Sequence, residues 1–141
     1  MSWSPSHDAL YLHLAIACID GSINTDERCA IADVLPVLCT DRAQQAAMLN
    51  TVTDRLVGAG DALVVLYQSC CMRLSKHRTK PQRLDLLASL HQVAVADERR
   101  LNPAEVVLLR MAIVLLDLTG QVSVNPSGRL VRRFTPRQAT A

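Results

Sequence analysis

The segment Asp20-Gly21-Ser22-Ile23-x-x-x-Glu27 sets a carboxylate, a glycine turn, an aliphatic anchor and a second carboxylate at fixed intervals. The same spacing forms the second half of a calcium-binding loop, where oxygen donors surround a hard cation and the aliphatic ties the loop to the core. The first half is absent. Its two ligand positions would fall on Ile16 and Cys18, and neither side chain offers a hard cation an oxygen. A cation held here therefore needs carboxylates from elsewhere in the chain.

A second acidic segment supplies them when LHLAIACIDGSINTDERCAIADVL is laid on LHQVAVADERRLNPAEVVLLRMAIVL. Asp20 then matches Asp97, Ile23 matches Leu101, Asn24 matches Asn102 and Glu27 matches Glu105, with one extra residue in the second loop. The candidate metal ligands are Asp20, Glu27, Asp97 and Glu105, sharing a calcium or magnesium ion between the two copies. The same residues also have an ion-free reading. Asp20-Gly21 makes a turn, Ile23 and Leu101 anchor their loops, and each glutamate closes a helix-start capping box with the asparagine three residues before it. Arg99 and Arg100 lie where they can neutralise Asp97 and Glu98 without any ion. Both readings stand at this point.

Other chemistry is thinner. His13 and His91 sit on apolar helical stretches and read as core or boundary histidines bonded to backbone or to a loop carboxylate. Cys70 and Cys71 are adjacent and so face different directions on a helix, with no base beside them, which disfavours a nucleophilic pair. There is no glycine-rich phosphate loop, no H-E-x-x-H and no nucleophile elbow. The basic run Arg73, Lys76, Arg78, Lys80, Arg83 reads as a solvated helix junction. A partner-binding peptide is better placed in the tail, where Arg129, Arg132 and Arg133 flank Phe134 and join cations to an apolar anchor.

The elements that must position these residues are helices. Ser4-Pro5-Ser6 starts a first one carrying Leu10, Leu14, Ala17 and Cys18 at helical spacing, and Asn24-Thr25-Asp26-Glu27 caps a second that Pro36 bends near its end. Asp41 opens a third that stops at Gly58-Ala59-Gly60, and Asp61 caps a fourth. Thr79-x-x-Gln82 and Asn102-Pro103-Ala104-Glu105 open a fifth and a sixth, which Gly120 closes. Beyond it no helical period remains. The fold class is all-α: a single bundle of about six helices, from a duplicated helix–acidic loop–helix unit, over residues 1–120. Residues 121–141 read as an extended, flexible basic tail whose removal should leave the melting temperature nearly unchanged.

Composition agrees, since 141 residues of which 50% are hydrophobic suffice for one core, and 3% aromatics leave its filling to aliphatic side chains. Net charge is +2, but four arginines lie beyond the last acid, Asp117; without them 11 Lys+Arg face 13 Asp+Glu. That body is slightly acidic, so no nucleic-acid partner is expected. Five cysteines without a C-x-x-C pair read as reduced thiols of a cytoplasmic protein. No signal peptide and no transmembrane stretch is visible.

An apolar helix, then Asp-Gly-x-Ile-x-x-x-Glu, then a second helix, found again near the other end, resembles the TerB tellurite-resistance domain family over roughly residues 9–118. The second copy departs from the family pattern, because Glu98-Arg99-Arg100 stands where a glycine-containing turn is usual. The resemblance implies an all-helical fold, acidic loops that hold divalent cations, and a non-enzymatic role in stress or phage resistance beside a protein partner that is membrane-associated. The alternative is a metal-independent adaptor that works through the basic tail.

Overall fold

Local chemistry sets most helix starts. Ser4 caps the first helix in a reciprocal box, its side chain accepting from the His7 amide while the His7 ring accepts from the Ser4 amide. Asp41 accepts from the amides of Ala43 and Gln44 at 2.8 and 3.2 Å, and Thr79 with Gln82 and Asn102 with Glu105 form the two expected boxes. The computed structural model describes residues 3–19, 25–96, 101–125 and 129–132, with backbone only at Arg132. The expected box of Asn24 therefore lies outside the described residues.

The elements in chain order are α1 (Pro5–Cys18), α2 (Thr25–Leu38), α3 (Arg42–Ala59), a single 3-10 turn (Gly60–Ala62), α4 (Leu63–His77), α5 (Lys80–Ala94), α6 (Pro103–Leu115), β1 (Val122–Val124) and β2 (Leu130–Arg132). Asp61 does not cap α4 as expected. It lies inside the 3-10 turn, and Ala62 precedes α4 with no side-chain cap. Gly60 makes this possible by taking φ +53, a left-handed backbone open to glycine without steric cost.

The core is organised around α1. Every residue from His7 to Ala17 is buried, and the helix meets α2, α3, α4, α5 and α6. A helix apolar on every side has to be enclosed in this way. The other helices bury one face each, through Met48, Val52 and Leu56 on α3, Tyr67, Cys70, Cys71 and Leu74 on α4, and Leu87, Leu90 and Val93 on α5. The four helices of the sequence alignment, α1, α2, α5 and α6, are present, but α1 is covered on all sides and α5 on one, and the duplication itself is not confirmed. Leu101 packs half-buried against the core, and its expected counterpart Ile23 lies outside the described residues.

Polar side chains tie the layers. Tyr11 donates to the Leu63 carbonyl at 3.1 Å, fixing α1 to the start of α4, and buried Tyr67 donates to the Leu108 carbonyl of α6 at 2.8 Å. Arg83 of α5 donates to the Leu116 carbonyl just past α6. Each bond satisfies a group that burial would otherwise leave costly.

The C-terminal segment differs from the expected extended tail. β1 and β2 pair antiparallel, with Val122 opposite Arg132 and Val124 opposite Leu130. Val122 and Val124 are buried in the core against α6, and Arg110 of α6 donates to the Val124 carbonyl at 3.1 Å. The alternation that sends both valines inward is the signature of a strand with one covered face, too short to register as a period in the sequence. Cutting the chain after Gly120 is therefore expected to destabilise it, by roughly 3 kcal/mol if each valine contributes its usual burial energy. Urea unfolding of the truncated chain measures this directly; a stability equal to that of the full chain would remove β1 from the core.

Candidate functional site

The four proposed metal ligands divide evenly. Glu27 and Glu105 lie in the first turns of α2 and α6 and are buried, at 4% and 6% exposure. Asp20 and Asp97 lie outside the described residues, so the convergence of the four carboxylates does too. Among the described residues no group of three or more histidine, cysteine or carboxylate side chains is arranged to hold a metal. Glu105 plays the part the ion-free reading gives it. Its Oε1 accepts from the Asn102 amide at 3.2 Å, while its own amide donates to Asn102 Oδ1 at 2.9 Å.

Of the tail residues, Arg129 is exposed, and its backbone closes the hairpin through Asn125: its amide donates to Asn125 Oδ1 at 2.8 Å and its carbonyl accepts from the Asn125 amide at 3.0 Å. Arg132 pairs through its backbone in β2, and Arg133 and Phe134 lie outside the described residues. Leu130 packs against the core, so this part of the expected partner peptide is structural.

A further concavity has no counterpart in the sequence pattern. A cleft of about 770 Å³ runs between α1, α2 and α5, with Leu74 of α4 also lining it. Ala30, Val34, Val37 and Leu38 of α2 face Leu86 and Val93 of α5 across it. Asp33, Asp85 and Arg78 are its charged lining residues. It exists because α2 is lightly packed: of its residues only Glu27 and Ile31 are buried, and Val37 is 82% exposed. Ser6 donates to the Leu38 carbonyl at 3.0 Å and pins the end of α2 to α1.

His13 reaches the cleft from the buried helix and is 1% exposed. Its Nδ1 lies 2.7 Å from the Ala9 carbonyl, which can only accept, so Nδ1 carries the proton; Nε2 then accepts from Ser89 Oγ, also at 2.7 Å. The serine–histidine pair has the spacing of an activated nucleophile. Burial, however, lowers the His13 pKa to about 4, outweighing the opposing pull of the Ala9 carbonyl. A ring so hard to protonate is a weak general base near neutral pH, and the pair reads as a fully satisfied core histidine.

A second polar cluster is built on α4. Asp8 is 2% exposed and receives Arg73 side-on, with Nε at 3.1 and 3.2 Å from its two oxygens and Nη2 at 2.8 Å from Oδ1. The indole of Trp3 donates to the same Oδ1 at 2.7 Å and packs tilted on His7. Arg73 thus does more than join a solvated basic run: though 49% exposed, it is ion-paired to the buried Asp8. The available signal was Asp8 itself, a carboxylate on a helix otherwise destined for burial. Cys70 and Cys71 lie beneath this cluster, and desolvation with the nearby Asp8 charge pushes both thiols up, Cys71 to about 12. They remain protonated and unreactive near neutral pH.

The His13 shift carries a sign. The unfolded ring titrates near its ordinary value of 6.5 and the folded ring near 4, so the unfolded chain binds the extra proton first. The stability this group contributes is whole above about pH 6.5 and is lost as pH falls toward 4, to a total of about 3 kcal/mol. Unfolding measured across that window should show a slope steeper by up to one proton in the parent chain than in His13→Leu, the remainder including His7, whose pKa burial also lowers. An identical slope in the two proteins would contradict a neutral buried ring.

No curated protein and no solved structure matches the chain. A protein-family model does, that of tellurite resistance protein TerB, over residues 7–124. This span runs from the first turn of α1 to the last residue of β1, and so takes in the buried helix, the cleft, both acidic positions and the strand that completes the core. By that match, over most of its length, this helical chain belongs to the TerB family.

Proposed function

We propose that the protein is a non-enzymatic TerB-type module of a tellurite-resistance or related stress response, working in the cytoplasm by receiving a protein partner in the α1/α2/α5 cleft. The observation that carries this reading is the cleft, in which Ala30, Val34, Val37, Leu38, Leu86 and Val93 form an apolar part among polar lining side chains. An apolar trough with charged lining residues suits an amphipathic helix, whose apolar stripe fills the groove while its flanks meet the charges. Asp33 and Asp85 outnumber Arg78 in the lining, which favours a helix with basic flanks. Among the described residues no helix is long and apolar enough to cross a membrane, so a membrane-associated role would come through the partner.

Val37→Asp tests the docking reading, because a residue 82% exposed can change with little effect on folding. Tellurite tolerance of cells that depend on this protein should fall to that of cells without it, while the melting temperature of the variant stays near the parent value. Parent-level tolerance with both Val37→Asp and Val34→Asp would rule the cleft out.

A divalent cation at the acidic loops is a second reading, favoured by the burial of Glu27 and Glu105 at matching places in α2 and α6. Both glutamates lie in the first helical turn that follows, in sequence, the segments carrying Asp20 and Asp97. An ion binding only the folded chain stabilises it by mass action, so millimolar calcium or magnesium should raise the melting temperature. Asp20→Asn with Asp97→Asn should abolish the rise. Glu105→Gln should do the same while preserving α6, since the amide oxygen still accepts from Asn102. A parent chain insensitive to both ions would leave the metal-independent adaptor, acting through the cleft or the basic tail, as the function.

A further inference from the structure

On the face formed by α3 and α4 with the chain start lies a separate pocket of about 410 Å³, lined by Trp3, Tyr11, Arg55, Leu66, Ser69, Cys70 and Arg73. Its only charged lining side chains are the two arginines. Asp8 stands behind Arg73, nearly solvent-free, and engages Nε and Nη2. Nη1 takes no part in that contact, and Arg73 is still 49% exposed. A guanidinium clamped along one edge has lost little freedom yet to lose, so its open edge is organised in advance for a ligand. Arg55, on α3, makes no hydrogen bond or ion pair among the described residues.

The other polar groups of the pocket are already engaged. The Tyr11 hydroxyl donates to the Leu63 carbonyl, the Ser69 hydroxyl to the Val65 carbonyl at 3.1 Å, and the Trp3 indole to Asp8. The free donors are those of Arg55 and Nη1 of Arg73, whose Nη2 donates to Cys70 Sγ at 3.5 Å as well as to Asp8, while the remaining wall, Trp3 and Leu66, is apolar. The Arg73–Asp8 pair is neutral, which leaves Arg55 as the net charge. The space exceeds what a bare oxyanion fills.

From this arrangement we infer that the pocket binds a small organic anion, its phosphate or carboxylate head held between Arg55 and Arg73 and its apolar body against Trp3 and Leu66. Arginine suits such heads because its planar donors match two oxygens at once. The inference is independent of the cleft, which lies between other helices.

The chain contains one tryptophan, Trp3, and it lines this pocket, so its fluorescence reports occupancy without a label. Titration of the full chain with phenyl phosphate and with benzoate separates the two head groups, and inorganic phosphate isolates the head from the body. A saturable change in Trp3 fluorescence is expected with at least one of the organic anions, at lower concentration than with inorganic phosphate. Arg55→Ala, an exposed change outside the Asp8 cluster, should weaken binding about tenfold or more, as expected when one charge-assisted contact is lost. Arg78→Ala, in the cleft, should leave it unchanged. Absence of a saturable change with all three anions, or equal affinity in the parent and Arg55→Ala, would overturn the inference.

Discussion

Burial of α1 on every side is the constraint from which the rest of the structure follows. A helix enclosed by five others exchanges water for side chains along its whole surface, and its polar groups are costly unless a neighbour completes them. This one carries several. Asp8 requires Arg73 and Trp3, Tyr11 requires the Leu63 carbonyl, and His13 requires Ser89. These bonds fix α4 and α5 against α1 in register, a precision that interchangeable aliphatic contacts do not impose. Aliphatic filling then supplies the bulk of the cohesion, and specificity comes from a few buried polar pairs.

The same constraint explains where concavities can form. Helices that satisfy α1 through buried polar bonds, α4 and α5, pack closely, whereas α2 is held by Ile31, Glu27 and the Ser6 bond at its end. The cleft opens beside the helix with the fewest buried residues. The arginine pocket has a different origin: a buried carboxylate drew Arg73 inward, and the guanidinium brought its charge to the boundary between core and solvent. One feature of a single helix thus shapes two unlike surfaces on separate parts of the molecule.

Much of the architecture was legible in the sequence because helix starts are written in local chemistry. Thr79-x-x-Gln82, Asn102-x-x-Glu105 and Asp41 each need only neighbours within one turn, and each forms as read. Glu105 showed its capping role for the same reason. Features that depend on distant residues were not legible. Nothing near Arg73 announces Asp8, sixty-five positions away, and the run of cations around it suggests a solvated face. The strand at Val122–Val124 contributes only two inward side chains, below the length at which alternation stands out. Asp61 was read as a cap because it follows a glycine stop, but Gly60 turns the chain into a 3-10 turn instead. The cleft is equally invisible along the chain, since an absence of packing has no residue of its own.

The enclosed helix also has a consequence for how the chain acquires its structure. α1 is made before its covering partners α4, α5 and α6, which follow only much later in the sequence. Until they arrive, a segment apolar on all sides has nothing to shield it, the situation in which nascent chains need chaperones. The long sequence separation of these contacts also raises the loop-closure cost met before they form, so folding should be slower than in a bundle whose helices pack only on their chain neighbours. A fold assembled around its first helix is committed only when its last helix is made.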